Sequence, residues 1–448
     1  MKELPVISSK TQRLIGIQVM AAFAGAILTG ALILMIPQMT TSGGIRFIDA
    51  LFTSTSAICV TGLIVQDTAT YFTDLGKSVI LVLIQLGGLG IMTIGSIFGL
   101  ILGKKIQIKD KFYIESSFGP RQPFVASRFF AIIAITTIIV ELTGTLVMFL
   151  VLHFKYDYTL KTSFLYGLFH SVSAFNNAGF ALYSNNLEGL VSDIVANVDI
   201  MLLIIIGGIG FPVISEILNY RRTRKFSLHA KIVFLITSIL IFGGALMFFL
   251  FEFNNPQTIG AKPLGTQVLS SFFQVVTART AGFNTLPTGK LTQFTLFFIT
   301  ILMFIGASPG GTGGGIKTTT FAVVTAGSLS ALRGRHQVVM FKRKLPDGIF
   351  SRALTITFAA VVLIVISTIG ILIFEKCSLT EAIFEVTSAF GTVGLSTGIT
   401  FGLTETSKAI LILCMYIGRI GISTLALTLA MRSSADRLFH VEENVTIG

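Results

Sequence analysis

The chain has 448 residues, 52% hydrophobic and 12% charged, with a formal net charge of +12. Soluble domains carry about 25% charged residues, so a soluble fold of this length would lack the polar surface to cover its core. Nucleic-acid binding, a common meaning of a strong positive charge, is excluded by where the basic residues sit: in short connections between apolar runs.

Eight such runs follow one another: Ile15–Pro37, Val79–Leu102, Phe129–His153, Ile200–Leu218, Val233–Phe251, Phe294–Leu332 (interrupted), Ala353–Phe374 and Ala409–Met431. A helix needs about 20 residues to cross the hydrocarbon core of a bilayer. The first run follows a polar, basic stretch, Met1 to Arg13, and is too long for the apolar part of a signal peptide, so it reads as a spanning helix. Basic groups follow the second, fourth, sixth and eighth runs. They are Lys104, Lys105, Lys109, Lys111, Arg121 and Arg128, then Arg221, Arg222, Arg224, Lys225 and Lys231, then Arg333, Arg335, Lys342, Arg343, Lys344 and Arg352, and finally Arg432 and Arg437. The positive-inside rule assigns them, with Lys2, Lys10 and Arg13, to the cytoplasm, which puts both termini there and requires an even number of crossings. Cys59, Cys377 and Cys414 are too few for a disulfide framework and fit no zinc spacing.

Between the members of each pair lies a shorter apolar stretch: Phe47–Ile58, Thr162–Phe175, Gln267–Ala278 and Thr380–Phe390. Each is too short to cross and reads as a re-entrant helix. Each ends in a related motif: SAICVTGL (Ser56–Leu63), SAFNNAGF (Ser173–Phe180), VTARTAGF (Val276–Phe283) and SAFGTVGL (Ser388–Leu395). A second glycine cluster follows in every copy: LGGLG (Leu86–Gly90), IGGIG (Ile206–Gly210), IGASPGG (Ile305–Gly311) and IGRIG (Ile417–Gly421). The expected fold is therefore an all-α integral membrane protein of eight transmembrane helices. Four tandem helix–pore-helix–helix units, over residues 1–110, 111–225, 226–345 and 346–448, would surround a pseudo-fourfold pore.

Non-helical backbone at membrane depth survives only where it is buried in protein or lines a watery path. Four loops around one axis form a ring of carbonyl oxygens that can replace the hydration shell of an ion. Gly62, Gly179, Gly282 and Gly394 suit that ring because glycine accepts φ > 0. No carboxylate flanks these glycines, as a divalent-cation pore would want, so a monovalent cation fits better. For the second glycine set, close helix packing is the favoured role.

In layout and filter glycines the chain resembles the Ktr/Trk/HKT superfamily of K+ transporters, over essentially its whole length. Its eight runs match the KtrB-type pore-forming subunit most nearly. The resemblance implies a filter of Cys59, Val60, Thr61 and Gly62; Asn176, Asn177, Ala178 and Gly179; Arg279, Thr280, Ala281 and Gly282; and Gly391, Thr392, Val393 and Gly394. Four glycines at the last position resemble the K+-selective members, whereas Ser in the first goes with Na+ selectivity. The family has a gating loop where the sixth run is broken. Here that is Gly306–Thr320, with Gly306, Ser308, Pro309, Gly310, Gly311, Thr312, Gly313, Gly314, Gly315 and Lys317, too rich in glycine and proline for a stable helix. Arg419, inside the eighth run, is an intramembrane charge placed to hold that loop through its carbonyls or the Ser308 and Thr312 hydroxyls.

K+ is then the transported ion, with Na+ a candidate activating ion, no covalent cofactor and no transition metal. The implied partners are a second copy of the chain, in a bacterial cell membrane, and a cytosolic ring of nucleotide-binding RCK-type subunits. Basic loops could hold that ring or anionic lipid. Nucleotide would act only through the ring: GTGGGIKT departs from a phosphate-binding loop because Ile316 separates Gly315 from Lys317. Glu385 in the fourth short helix and Glu216 near the end of the fourth run, which can reach the cytoplasmic interface, are less telling than Arg419, and His170 reads as a hydrogen-bonded structural residue and not a metal ligand. A Na+-selective or Na+-coupled carrier of the same build is the rival function. A membrane enzyme would need catalytic clusters that the spans lack.

Overall fold

The computed structural model describes residues 9–90, 93, 126–335, 337–422 and 424–425. The basic groups before Arg128 and after Met431, and the ends of the second and eighth apolar runs, lie outside the described residues or their described side chains.

Among the described residues, four helices are long and apolar enough to cross a bilayer: Gly16–Leu34, Phe129–Phe154, Leu228–Glu252 and Ile349–Phe374. They are the first runs of the four sequence units. Their outer faces carry bare aliphatic stripes such as Leu142, Leu146 and Leu150, while small or hydroxylated residues such as Ala360, Ser367 and Thr368 face inward. That inversion of the soluble pattern lets lipid cover the large side chains and lets helices approach closely.

The second runs behave differently. Ile200–Leu218, expected as one span, is two helices, Ile194–Gly208 and Phe211–Thr223, meeting at 97°. Gly210 at φ +92° stops the first, and Pro212, which has no N–H to lose, opens the second. The same stop recurs where Asp74–Leu89 ends at Gly90 (φ +82°) and Glu405–Ile420 ends at Gly421 (φ +87°). In the third unit Gln293–Phe304 ends, and helix resumes at Thr318–Leu332. Helix, expected to be interrupted only in the sixth run, thus also stops at a glycine within the second, fourth and eighth runs.

Between each pair lies a short helix close to its expected bounds: Phe47–Ile58, Leu160–Phe175, Leu264–Thr277 and Leu379–Gly391. Thr159 and Ser378 cap two of them through their hydroxyls, Ser378 in a reciprocal pair with Glu381. One departure from an all-helical fold is a two-residue hairpin, Val339–Met340 against Arg343–Lys344, in the third basic connection.

The buried side chains form clusters that straddle successive units. Phe52, Ile58 and Val60 share one with Phe390, Leu411 and Met415, which joins the first unit to the fourth. Phe175 and Ile200 pack with Phe273 and Phe283, and Val275 and Met303 with Phe384 and Val393. A buried ion pair seals the junction of the first and fourth units: Lys408 Nζ donates to Asp49 Oδ1 at 2.6 Å, both side chains almost fully enclosed. Asp49 also pairs with Arg46 Nε at 3.0 Å, but removing the Asp49 carboxylate strands the Lys408 ammonium in an apolar site, at a cost of about 3–5 kcal/mol. Asp49→Asn is therefore expected to lower the thermal midpoint of the detergent-solubilised protein sharply, and adding Lys408→Met to restore most of it. Equal midpoints for the single variant and the parent would contradict this account.

Candidate functional site

Each short helix runs into three residues of alternating backbone hand. The first has positive φ: Val60 (+51°), Asn177 (+58°), Thr280 (+73°) and Thr392 (+50°). The third is the motif glycine: Gly62 (+89°), Gly179 (+70°), Gly282 (+78°) and Gly394 (+94°). Thr61, Ala178, Ala281 and Val393 lie between them. Such alternation turns successive carbonyls towards one side of the chain. Glycine carries the third position without strain. A β-branched Val or Thr in the first costs about 1–3 kcal/mol.

That cost is met by hydrogen bonds from behind. Thr61, Ala178 and Val393 N–H donate to the Ser56, Ser173 and Ser388 carbonyls at 2.7–2.8 Å, and Ala281 N–H to Thr277 O at 2.9 Å. Ser56 and Ser388 hydroxyls accept the Gly62 and Gly394 N–H groups at 3.0 Å. Ser173 and Thr277 hydroxyls instead donate to the Phe180 and Phe283 carbonyls.

The four segments close on one another in order. A Cβ built on Gly62 would stand 2.5 Å from the Ala178 carbonyl oxygen and 3.0 Å from Gly179 Cα. Gly179 stands in the same relation to Ala281 and Gly282, Gly282 to Val393 and Gly394, and Gly394 to Thr61 and Gly62. This is a closed ring of four backbones in which no side chain larger than hydrogen fits without displacement. Neighbouring segments are also tied through side chains. Asn177 meets Thr280 Oγ1 at 3.1 Å, and Asn176 Nδ2 donates to Gln85 Oε1 and Glu141 Oε1.

The second glycine set lines the back of the ring. Added carbons at Gly87, Gly207 and Gly418 would collide with the carbonyl oxygens of Ile58, Phe175 and Phe390, each four residues before a ring glycine. Close packing, the favoured expectation, therefore holds for these three, while Gly90, Gly210 and Gly421 supply the helix stops.

The loop of the third unit crosses behind the ring on the side of the short helices. Its neck is pinned where Gly306 N–H donates to Ile316 O at 2.9 Å and Ile316 N–H to Phe304 O. Its tip reaches the second unit, with Ser308 N–H on Gly208 O and Thr312 N–H on Gly207 O, and Phe211 N–H returns a bond to Gly310 O. Gly314 N–H donates to Thr392 Oγ1 of the fourth segment at 2.9 Å, and Gly313 lies against the Thr280 side chain. Lys317 Nζ donates to Gly313 O at 2.7 Å. With these N–H groups and the lysine committed to protein oxygens, the loop is not arranged as a phosphate cradle. Pro309, Gly311 and Gly315 complete its turns.

Arg419 closes the circuit. Its guanidinium donates to the Thr312 carbonyl of the loop and to the Gly87 and Gly88 carbonyls of the first unit. Of the expected loop partners it takes a carbonyl; the two hydroxyls bond elsewhere, Thr312 Oγ1 donating to Phe175 O and Ser308 Oγ pairing with Thr318 Oγ1 at 2.9 Å. Sequence reasoning missed the strained non-glycine positions and the Gln85–Glu141–Asn176 network. No local signal marks either, because partners 35 to 91 positions apart make the latter.

Comparison with known proteins agrees with this geometry. A family model described as TrkH, cation transport protein, matches residues 9–441. The chain belongs to the TrkH family of cation transport proteins. Among its relatives, the Ktr system potassium uptake protein B of Bacillus subtilis (strain 168) is 39% identical over 416 residues, 92% of each chain. The protein of the same name from Vibrio alginolyticus is 37% identical over 96% of this chain and 94% of its own. The crystal structure of the potassium transporter TrkH from Vibrio parahaemolyticus matches the fold with a TM-score of 0.73 at 18% identity, over 96% of this chain and 86% of that one. The TrkH family moves cations and is not a family of enzymes.

In this TrkH-family chain, forcing a methyl group into a backbone carbonyl costs about 1–3 kcal/mol. Gly207→Ala and Gly418→Ala are expected to lower the melting midpoint by several degrees. Gly25→Ala, where nothing lies within 4 Å of the added carbon, is expected to leave it unchanged or raise it. Differential scanning fluorimetry in detergent separates the two outcomes.

Proposed function

We propose that this chain is the pore-forming subunit of a K+ uptake system, passing K+ in channel fashion through the ring of backbone carbonyls. The observation that carries this reading is the closed cycle Gly62–Gly179–Gly282–Gly394 with its alternating backbone hand. Carbonyl oxygens held at fixed spacing replace the water of a weakly hydrated monovalent ion, and no added carboxylate is needed. The names of the curated relatives support K+ as the cargo.

In this reading the chain crosses the membrane eight times in four units of helix, short helix and broken helix, over residues 1–110, 111–225, 226–345 and 346–448. It lies in a bacterial cell membrane with both termini in the cytoplasm. Val60, Thr61, Asn176, Asn177, Ala178, Thr280, Ala281, Thr392 and Val393 complete the ion ligands, chiefly through their backbones. The loop from Gly306 to Lys317 is the gate, and Arg419 is its latch and a positive barrier in the path. The subunit works as a homodimer on a cytosolic nucleotide-binding RCK-type ring, through which nucleotide acts, with Na+ as an activating ion and basic loops meeting lipid headgroups.

Selectivity tests the filter. Gly62→Ser places a side chain at φ +89° against the Ala178 carbonyl, and strain of about 1–3 kcal/mol there corresponds to a roughly tenfold effect. K+ over Na+ uptake in a transport-deficient host is expected to fall by about that factor. An unchanged ratio in a correctly inserted variant would remove Gly62 from the filter.

The gate is tested by deleting residues 310–314. K+ flux into liposomes is expected to rise several-fold and to lose its dependence on the regulatory ring. Arg419→Ala is expected to act in the same direction more mildly. A loop deletion that inserts and conducts no faster than the parent would make the segment a structural break only.

A further inference from the structure

Nine places before the ring glycine, on the short helix of each unit, stand Thr53, His170, Phe273 and Glu385. Thr53 bonds within its own helix, to Asp49 O, and Phe273 has no polar atom. His170 and Glu385 are both fully buried, and each reaches forward past the ring.

His170 Nδ1 lies 2.7 Å from the Tyr166 carbonyl oxygen, which can only accept, so Nδ1 carries the proton. Nε2 is then a bare acceptor, and it takes the N–H of Leu182 at 3.2 Å. Tyr183 stacks on the imidazole at 5.1 Å and fixes its plane. In the fourth unit Glu385 Oε1 accepts the N–H of Thr397 at 2.9 Å together with the Ser396 hydroxyl, and Oε2 accepts the Thr400 hydroxyl at 2.9 Å. Leu182 and Thr397 each stand three residues beyond their ring glycine. An imidazole and a carboxylate thus perform one task at one repeated position. Each accepts the backbone N–H of the residue by which its segment leaves the ring. In the cycle from Gly62 through Gly179 and Gly282 to Gly394, the second and fourth segments lie opposite each other.

We propose that His170 and Glu385 are positioning residues for ion selection, buttressing two opposite segments of the ring through Leu182 and Thr397. Carbonyl spacing across the ring is set by where the ends of each segment are anchored. Short-helix carbonyls hold the middle residue of all four segments and short-helix hydroxyls hold the ring glycine or the residue after it, whereas these two acceptors hold the chain three residues beyond the glycine in two. Freed of them, the second and fourth segments can spread, and a wider, softer ring discriminates less between ions of different radius. This inference rests on the ring being the ion filter.

The test uses the full-length protein in liposomes and reads the K+ to Na+ flux ratio, with melting midpoints measured in parallel. His170→Phe keeps the stacking on Tyr183, installs the residue that the third unit already carries at this position, and removes the acceptor. Glu385→Leu removes the other. Each is expected to lower the ratio several-fold, whereas His170→Gln and Glu385→Gln, which keep a carbonyl oxygen as acceptor, retain most of it. Gly179→Ser serves as the reference for the ring itself. If Gly179→Ser shifts the ratio and His170→Phe leaves it at the parent value, the buttress is overturned and the filter stands. If Gly179→Ser also leaves it unchanged, the filter reading fails and the buttress falls with it. Should Glu385→Leu not insert, the comparison of His170→Phe with His170→Gln decides, and equal ratios for that pair overturn the proposal.

Discussion

Backbone that leaves the helix inside a bilayer meets no water, so each exposed N–H and C=O must find a partner in the protein or in an ion. The four segments after the short helices and the loop between Phe304 and Thr318 are under that constraint. Their N–H groups are turned back onto protein oxygens, as with Thr61 on Ser56, Val393 on Ser388 and Gly314 on Thr392. What remains is a set of carbonyl oxygens gathered around one closed cycle of glycines. In the function proposed above, a cation is the partner of that set.

The glycines divide the work by position. Those of the ring accept a left-handed backbone and the approach of a neighbouring segment. Those at Gly87, Gly207 and Gly418 let a second helix rest directly on the end of a short helix, and Gly90, Gly210 and Gly421 then stop that helix. The ring is therefore held from behind at backbone distance, with few side chains between to compress or rotate. Rigidity of this kind is what a size-sensitive carbonyl site requires, and it comes from the absence of side chains.

Three charged side chains tie units together at their junctions. Asp49 and Lys408 join the first unit to the fourth, and Arg419 joins the first unit to the loop of the third. Each charge is bonded across units that are far apart in sequence, so charge here enforces closure of the cycle. Arg419 also places a positive charge beside the loop that crosses behind the ring.

Much of this was legible in the sequence because it is written locally. Apolar length marked the spans, the fourfold recurrence of SAF- and GG-type motifs marked the short helices to within a few residues, and glycine with proline marked the broken sixth run. Other features depend on contacts between distant residues. Val60 and Thr392 at positive φ have no sequence signature, because their strain is carried by bonds to Ser56 and Ser388 that exist only once the short helix is in place. The bend after Gly208 looked like an unbroken span because apolarity continues through it; Gly210 and Pro212 permit the turn, and the bond from Phe211 N–H to Gly310 O of the loop holds it. The choice of the Thr312 carbonyl by Arg419, and of Leu182 and Thr397 by His170 and Glu385, was likewise decided by tertiary structure. Residue type fixes what a side chain can donate or accept, and only the closed ring determines which backbone group stands within its reach.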